Sequence, residues 1–285
     1  MDPRDAIASM GNALGPQVVE ACRALFDDEQ RALAARVPVL AADCVYGPHE
    51  RQRLDLYRTA SAGALPVVLF VHGGGFRLGD KGHGGGDSGS WQNAAVARTM
   101  AEAGFLGAAM NYRLLPDARW PDGGEDVIAA VEWLRANAAG FGGDPTRIFV
   151  VGTSAGAVHI ATAIMLRPDL PVVGAVLLSG LYGHTPLDDR DEGYYGPQAD
   201  YAARMPREAV ASTTIPLFIA CAEHDPPRFQ AEFLGLMRDR LERQGAMPAG
   251  TILSGHNHYS MAMHIGTGDR RLADEITGFI LRACR

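Results

Sequence analysis

The chain is expected to fold as a doubly wound, mostly parallel α/β sheet, and three features of the sequence lead there. Short apolar runs at 67–71, 106–110, 148–151, 172–178, 216–221 and 251–253 alternate with stretches of helical period. These runs are continuously apolar, as expected of strands covered by helices on both faces. One of them leads directly into Gly152-Thr153-Ser154-Ala155-Gly156, a serine between glycines that marks a sharp strand-to-helix turn. With 285 residues, 47% of them apolar, a single domain over 1–285 can build a substantial core and no second domain is required.

In chain order, the stretch from Asp5 to Arg36 has helical periodicity, with Val18, Val19, Cys22, Leu25 and Phe26 as its apolar stripe. Residues 1–40 are therefore expected to form a helical segment that packs over the site as part of a cap; an ordinary surface helix is the plainer alternative. Asp43 to Tyr46 and Arg53 to Arg58 flank Gly47-Pro48-His49-Glu50, which predicts a hairpin at the start of the sheet. Further on, Val127, Val131 and Leu134 mark one helical face, Ala161, Ile164 and Met165 a second, and Phe233, Leu236, Met237 and Leu241 a third. Two segments interrupt the alternation. Arg77 to Ser90 carries glycines at 79, 82, 84, 85, 86 and 89 and reads as a mobile loop, while Tyr182 to Thr214 is long and polar, as lids and binding loops are.

The chemistry starts at Ser154, which the turn would expose at the carboxyl end of its strand. Val67 to Val71 runs straight into His72-Gly73-Gly74-Gly75-Phe76, where consecutive glycines let backbone amides face a developing negative oxygen. The expected donors are the amides of Gly74, Gly75 and Ala155. A serine hydroxyl needs a base and an acid that orients it. Ala222-Glu223-His224-Asp225-Pro226-Pro227 supplies the acid after one apolar run, and Gly255-His256-Asn257-His258-Tyr259-Ser260 the base after the next. Asp225 is preferred over Glu223 because it lies further past the strand end and is held by two prolines. Spacing alone does not separate His256 from His258. A His-x-His pair, with His264, is also a conceivable metal site, although no cysteine or acidic cluster at ligand-like spacing joins it, and no metal is expected.

Taken together, HGGGF at 72–76, NYRLLPD at 111–117, GGDPTRIFVVGTSAG at 142–156, EHDPP at 223–227 and GHNHYS at 255–260 make the chain resemble the α/β-hydrolase superfamily. Within it, the resemblance is to carboxylesterases related to hormone-sensitive lipase and to kynurenine formamidase-like esterases, over roughly residues 40 to 285. It implies the α/β-hydrolase fold with a small helical cap or lid, and the order Ser154, Asp225, His258 is the order of that superfamily. It also implies that His258, just before the aromatic residue, is the base, leaving His256 a structural role. The implied activity is hydrolysis of small or medium carboxylic esters through an acyl-enzyme, with an arylformamidase-type amidohydrolase and a non-catalytic small-molecule receptor as alternatives. Two departures separate this chain from many lipase-like relatives: threonine instead of aspartate before the serine, and YRLLPD in place of YRLAPE. Gly86-Asp87-Ser88-Gly89 resembles the serine motif of chymotrypsin-like proteases, but those are all-β proteins and the surrounding pattern here is parallel α/β.

Aromatic residues near these motifs are candidate walls of a substrate pocket: Phe76, Trp91, Tyr182, Tyr194 and Tyr195. The net charge of −7, with no cluster of lysine or arginine, argues against nucleic acid as a partner. Cys22, Cys44, Cys221 and Cys284 are widely spaced, which suggests reduced thiols rather than a disulfide framework or a zinc site. The first residues do not read as a signal peptide and no apolar run reaches membrane-spanning length, so a cytoplasmic protein without membrane contact is expected. The expected partner is a small-molecule ester, no cofactor is required, and the resemblance allows a homodimer.

Overall fold

Six parallel strands and an antiparallel pair make up one eight-stranded sheet in the computed structural model, which describes residues 3–59, 63–82 and 91–284, with Trp91 and Gln92 in backbone only. The strands are β1 (Val39–Val45), β2 (Arg53–Tyr57), β3 (Leu65–Val71), β4 (Leu106–Met110), β5 (Gly143–Thr153), β6 (Gly174–Leu178), β7 (Leu217–His224) and β8 (Ala249–Asn257). Their spatial order is β1-β2-β4-β3-β5-β6-β7-β8. β1 and β2 form the expected hairpin, and β2 joins the sheet antiparallel to β4. From β4 onward every pairing is parallel.

The helices are α1 (Pro3–Met10), α2 (Pro16–Arg36), α3 (Trp91–Glu102), α4 (Asp122–Asn137), α5 (Ala155–Leu166), α6 (Glu192–Tyr195), α7 (Tyr201–Arg204), α8 (Arg207–Ser212), α9 (Pro227–Gln244), α10 (Ser260–Met263) and α11 (Arg271–Ala283). The central strands send successive side chains to opposite faces, and both faces are covered. Val67, Leu69, Val71, Ile148 and Val150 pack with Val127, Val131 and Leu134 of α4 and Ile160 and Ile164 of α5. On the other face Val68, Phe70, Phe149 and Val151 pack with Met100 of α3 and Leu272, Ile276 and Phe279 of α11. Each such side chain, fully buried, stabilises the fold by about 1.5–3 kcal/mol, which explains why the strands read as unbroken apolar runs.

Three elements differ from the sequence expectation. The buried stripe of α2 is Cys22, Phe26, Gln30 and Leu33, with Val18, Val19 and Leu25 only half-buried. Gln30 belongs to the stripe because its amide donates to the carbonyls of Met263 and Ile265. On α9 the apolar face ends before Leu241, which is exposed, and includes the charged Glu232, Asp239 and Arg240 instead. The segment 182–214 is not one irregular loop; it holds α6, α7 and α8, and Tyr194 and Tyr195 are buried. Of the glycine-rich loop, Gly84, Gly85, Gly86 and Gly89, with the Gly86-Asp87-Ser88-Gly89 motif, lie outside the described residues.

The amino-terminal segment grips the end of β8 and the turn just after it. Arg4 lies over Gly255, the Gly15 amide donates to the Tyr259 hydroxyl at 3.0 Å, and Cys22 reaches the Asn257 side chain at 3.6 Å.

Candidate active site

Ser154 stands between β5 and α5 with φ +52°, a conformation that costs a non-glycine residue about 1–3 kcal/mol. The neighbouring glycines make this turn feasible. A Cβ on Gly156 would run into the Val71 carbonyl, and one on Gly152 would lie 2.6 Å from the Gly156 backbone. The Ser154 amide donates to Leu178 O at 2.8 Å, tying the turn to the end of β6, and the residue is half-buried.

His258 brings Nε2 to 3.0 Å from Ser154 Oγ and Nδ1 to 2.7 Å from Asp225 Oδ1. A carboxylate on Nδ1 holds the proton there and leaves the Nε2 lone pair facing the serine. Asp225 is fully buried, directly after β7, and Pro227 opens α9 two residues later. Its Oδ2 accepts from the Ala222 amide at 2.7 Å and from Ser179 Oγ at 2.6 Å. Phe229 lays its ring 4.2 Å from the imidazole.

The rival residues sit elsewhere. Glu223, still within β7, is exposed and accepts from Ser254 Oγ at 2.6 Å and the Gly255 amide at 2.8 Å, bonds that hold its carboxyl below the usual carboxylate range. Both ring nitrogens of His256 are engaged elsewhere, with Nδ1 3.1 Å from Ser260 Oγ and Nε2 3.3 Å from Asp269. His264 packs against it, so His256, His264 and Asp269 do come together, the acid being one that sequence spacing did not suggest. Asp269 is already neutralised by Arg271, at 2.7 and 2.9 Å, and by Arg4 at 3.5 Å, so the cluster reads as a brace between β8 and α11. Asp225→Asn is therefore expected to lower kcat on an aryl ester by about 10⁴-fold, the loss that the same change causes in serine proteases. Glu223→Gln should stay within a few-fold of the parent, and His258→Ala should be far more damaging than His256→Ala in the same assay.

The glycine loop after β3 passes beside the serine: a Cβ on Gly73 would lie 3.2 Å from Ser154 Cβ. Gly74 has φ +136° and turns its carbonyl inward to accept from the amides of Arg77 and Leu78, at 3.2 and 3.0 Å. Among the described residues the amides of Gly74, Gly75 and Ala155 have no hydrogen-bond acceptor. Beneath the loop, His72 donates from Nδ1 to Gly73 O at 2.7 Å, and the Tyr112 hydroxyl donates to His72 O at 2.9 Å.

Aromatic side chains line one side. Phe76 stacks on Tyr194 with centroids 4.0 Å apart, and Tyr195 meets Phe76 edge-on at 5.6 Å. With Ala155, Val158, Leu181 and Phe229 they form one cluster, to which α1–α2 contributes Leu14 at the rim. Tyr182 is not part of this wall. Its side chain belongs to the core on the α4–α5 face of the sheet, with the hydroxyl against Gly180, because its position past β6 points it toward that layer. The Trp91 side chain lies outside the described residues.

Burial keeps three histidines neutral: His72 is lowered to about 4, and His159 and His264 to about 3. The unfolded chain titrates them near 6.5 and so takes up protons that the folded chain refuses. Their contribution is intact above that value and is lost as pH falls from about 6.5 toward about 4 for His72 and about 3 for His159 and His264. The urea midpoint is therefore expected to be lower at pH 5 than at pH 7.5; an unchanged midpoint would contradict buried neutral histidines.

The sheet order and the helices that cover both its faces are those of the α/β-hydrolase fold. Residues 54–169 match the family model described as BD-FAE. Over 124 residues, 43% of this chain and 27% of the relative, the sequence is 43% identical to the probable isoprenylcysteine alpha-carbonyl methylesterase ICMEL1 of Oryza sativa subsp. japonica. It is 34% identical to carboxylesterase NlhH of Mycobacterium tuberculosis (strain CDC 1551 / Oshkosh) over 192 residues, 58% of this chain and 57% of the relative. The chain thus spans between about a quarter and somewhat over half the length of these two relatives. The structure of esterase Est22 superposes with a TM-score of 0.72 at 22% identity, covering 99% of this chain and 97% of that one. Among the described residues no helix is long and apolar enough to cross a membrane.

Proposed function

We infer that the chain is a serine carboxylic-ester hydrolase that cleaves small or medium esters through an acyl-enzyme. The observation that carries this reading is the continuous path from Ser154 Oγ through His258 to Asp225, at 3.0 and 2.7 Å, beside amides that have no other acceptor among the described residues. In the first step His258 Nε2 takes the serine proton as Oγ bonds to the ester carbonyl carbon. The carbonyl oxygen becomes an oxyanion facing the Gly74, Gly75 and Ala155 amides, each donor contributing about 3 kcal/mol in the transition state. Collapse breaks the bond to the alcohol oxygen, which leaves with the proton from His258. A water molecule then gives its proton to His258, attacks the acyl carbon and releases the acid, restoring Ser154. Asp225 stabilises the imidazolium in both steps.

The carboxylesterase and methylesterase names of the relatives support an ester as substrate. The aromatic cluster of Phe76, Tyr194, Tyr195 and Phe229 favours an apolar group on that side of the carbonyl. The four free thiols fit a reducing, cytoplasmic setting. The deciding experiment pairs hydrolysis of aryl acetate and butyrate, with an aryl formamide run in parallel, and covalent labelling by a fluorophosphonate. Ester turnover with labelling at Ser154 is the expected result. Preference for the formamide would reassign the leaving group, and neither turnover nor labelling would overturn the reading in favour of a binding protein.

A further inference from the structure

We propose that Ser179 is a positioning residue for the acid of the site, holding the Asp225 carboxylate in the rotamer that serves His258; this rests on the hydrolase reading above. Ser179 directly follows β6, is buried, and has φ +48°, one of four positive-φ non-glycine residues among those described, Ser154 being another. The two serines are placed alike. Each follows its strand, and each donates its amide to the neighbouring strand, Ser154 to Leu178 O and Ser179 to Ala220 O, both at 2.8 Å.

This repetition aims the Ser179 side chain. The unusual backbone directs its hydroxyl at Asp225 Oδ2, 2.6 Å away, where the Ala222 amide also donates at 2.7 Å. With Oδ2 taken by two donors, Oδ1 alone is left for His258 Nδ1. A glycine would adopt this φ with less strain, yet the position holds a serine, and its hydroxyl is spent on the acid. Once that hydroxyl is removed, Oδ2 keeps a single donor, the carboxylate can turn about its last bond, and its charge is less well stabilised.

Two titratable groups close to Asp225, Cys221 and Tyr182, stay protonated near neutral pH. Burial pushes the Cys221 thiol up to about 12 and the Tyr182 hydroxyl further still. Around the imidazole itself, Ser154 comes from the β5–α5 turn, Phe229 from α9 and Tyr259 from the base's own loop.

The test compares Ser179→Ala and Ser179→Gly with the parent and with Ser154→Ala, measuring kcat and KM on an aryl acetate, together with urea unfolding. Ser179→Gly relieves the backbone while removing the hydroxyl, so a purely structural role would leave it at least as active as Ser179→Ala. The expected result is that both lose kcat by about 10- to 100-fold, the worth of a hydrogen bond to a charged group, with KM nearly unchanged. Parental kcat in Ser179→Gly would overturn the proposal, as would a loss carried by KM instead of kcat, or activity that simply follows stability across the two variants. Full turnover by Ser154→Ala would instead overturn the hydrolase reading on which it rests.

Discussion

Ser154→Ala is expected to lose about 10⁶-fold in kcat on aryl esters, the scale of nucleophile removal in serine hydrolases, while unfolding in urea close to the parent. Activity and stability separate here because of where the residue sits. Its hydroxyl is half-buried and its bonds to the fold run through the backbone, from its amide to Leu178 O and from the Val158 amide to its carbonyl at 3.2 Å. Alanine keeps both bonds and the same Cβ, so the turn loses nothing that supports it. It does lose the only atom that approaches His258 Nε2 at 3.0 Å from this turn. Ser154→Gly should also be inactive yet no less stable than the alanine variant, since glycine accepts a positive φ with less strain. Hydrolysis by Ser154→Ala at more than about 1% of the parental rate, after fluorophosphonate treatment has excluded contaminating enzyme, would show that the nucleophile lies elsewhere.

What could be read in the sequence was what depends on neighbours along the chain. Gly152 and Gly156 signal close packing of strand and helix wherever they flank such a serine, and the structure has Gly156 against the Val71 carbonyl. Asp225 and Glu223 could be told apart because a strand end is itself a sequence feature: Glu223 is still in β7, and Asp225 has left it. His256 and His258 could not be separated in this way. The apolar run ends at Leu253 while β8 continues through Asn257, so the sequence does not show that His256 is still in the strand and His258 just past it. Their different partners, Asp269 for one and Asp225 for the other, are set by the fold. Tyr182 was expected at the pocket from its polarity and place in an insertion, yet the side on which it leaves β6 puts it in the core. Ser179 carries no motif, because its role depends on a carboxylate 46 positions away.

Glu232 is the clearest residue whose role was hidden, and its replacement is expected to have the largest effect on stability. It sits on the buried face of α9, where helical periodicity predicts an apolar side chain, and it is only 1% exposed. Its carboxylate accepts from four consecutive backbone amides, Tyr182 at 2.7 Å, Gly183 at 3.0 Å, His184 at 3.1 Å and Thr185 at 2.8 Å, and from Thr185 Oγ1 at 2.5 Å. These amides begin the 182–214 segment past β6, and among the described residues no backbone carbonyl accepts from them. Glu232→Leu would fill similar space but leave several donors buried without an acceptor, each costing about 1–3 kcal/mol. Partial relaxation toward water should reduce the sum, so a loss of about 4 kcal/mol is expected, which lowers Tm by about 8 °C or more for a domain of this size. Glu232→Gln keeps one acceptor oxygen but turns an amide donor toward other donors, and should fall between the two. Limited proteolysis should find new cleavage within 182–214 in Glu232→Leu, because that segment loses its anchor while the sheet remains. A Tm within about 2 °C of the parent, with no new cleavage, would mean that water or other groups satisfy these amides and that the glutamate does not hold the segment in place.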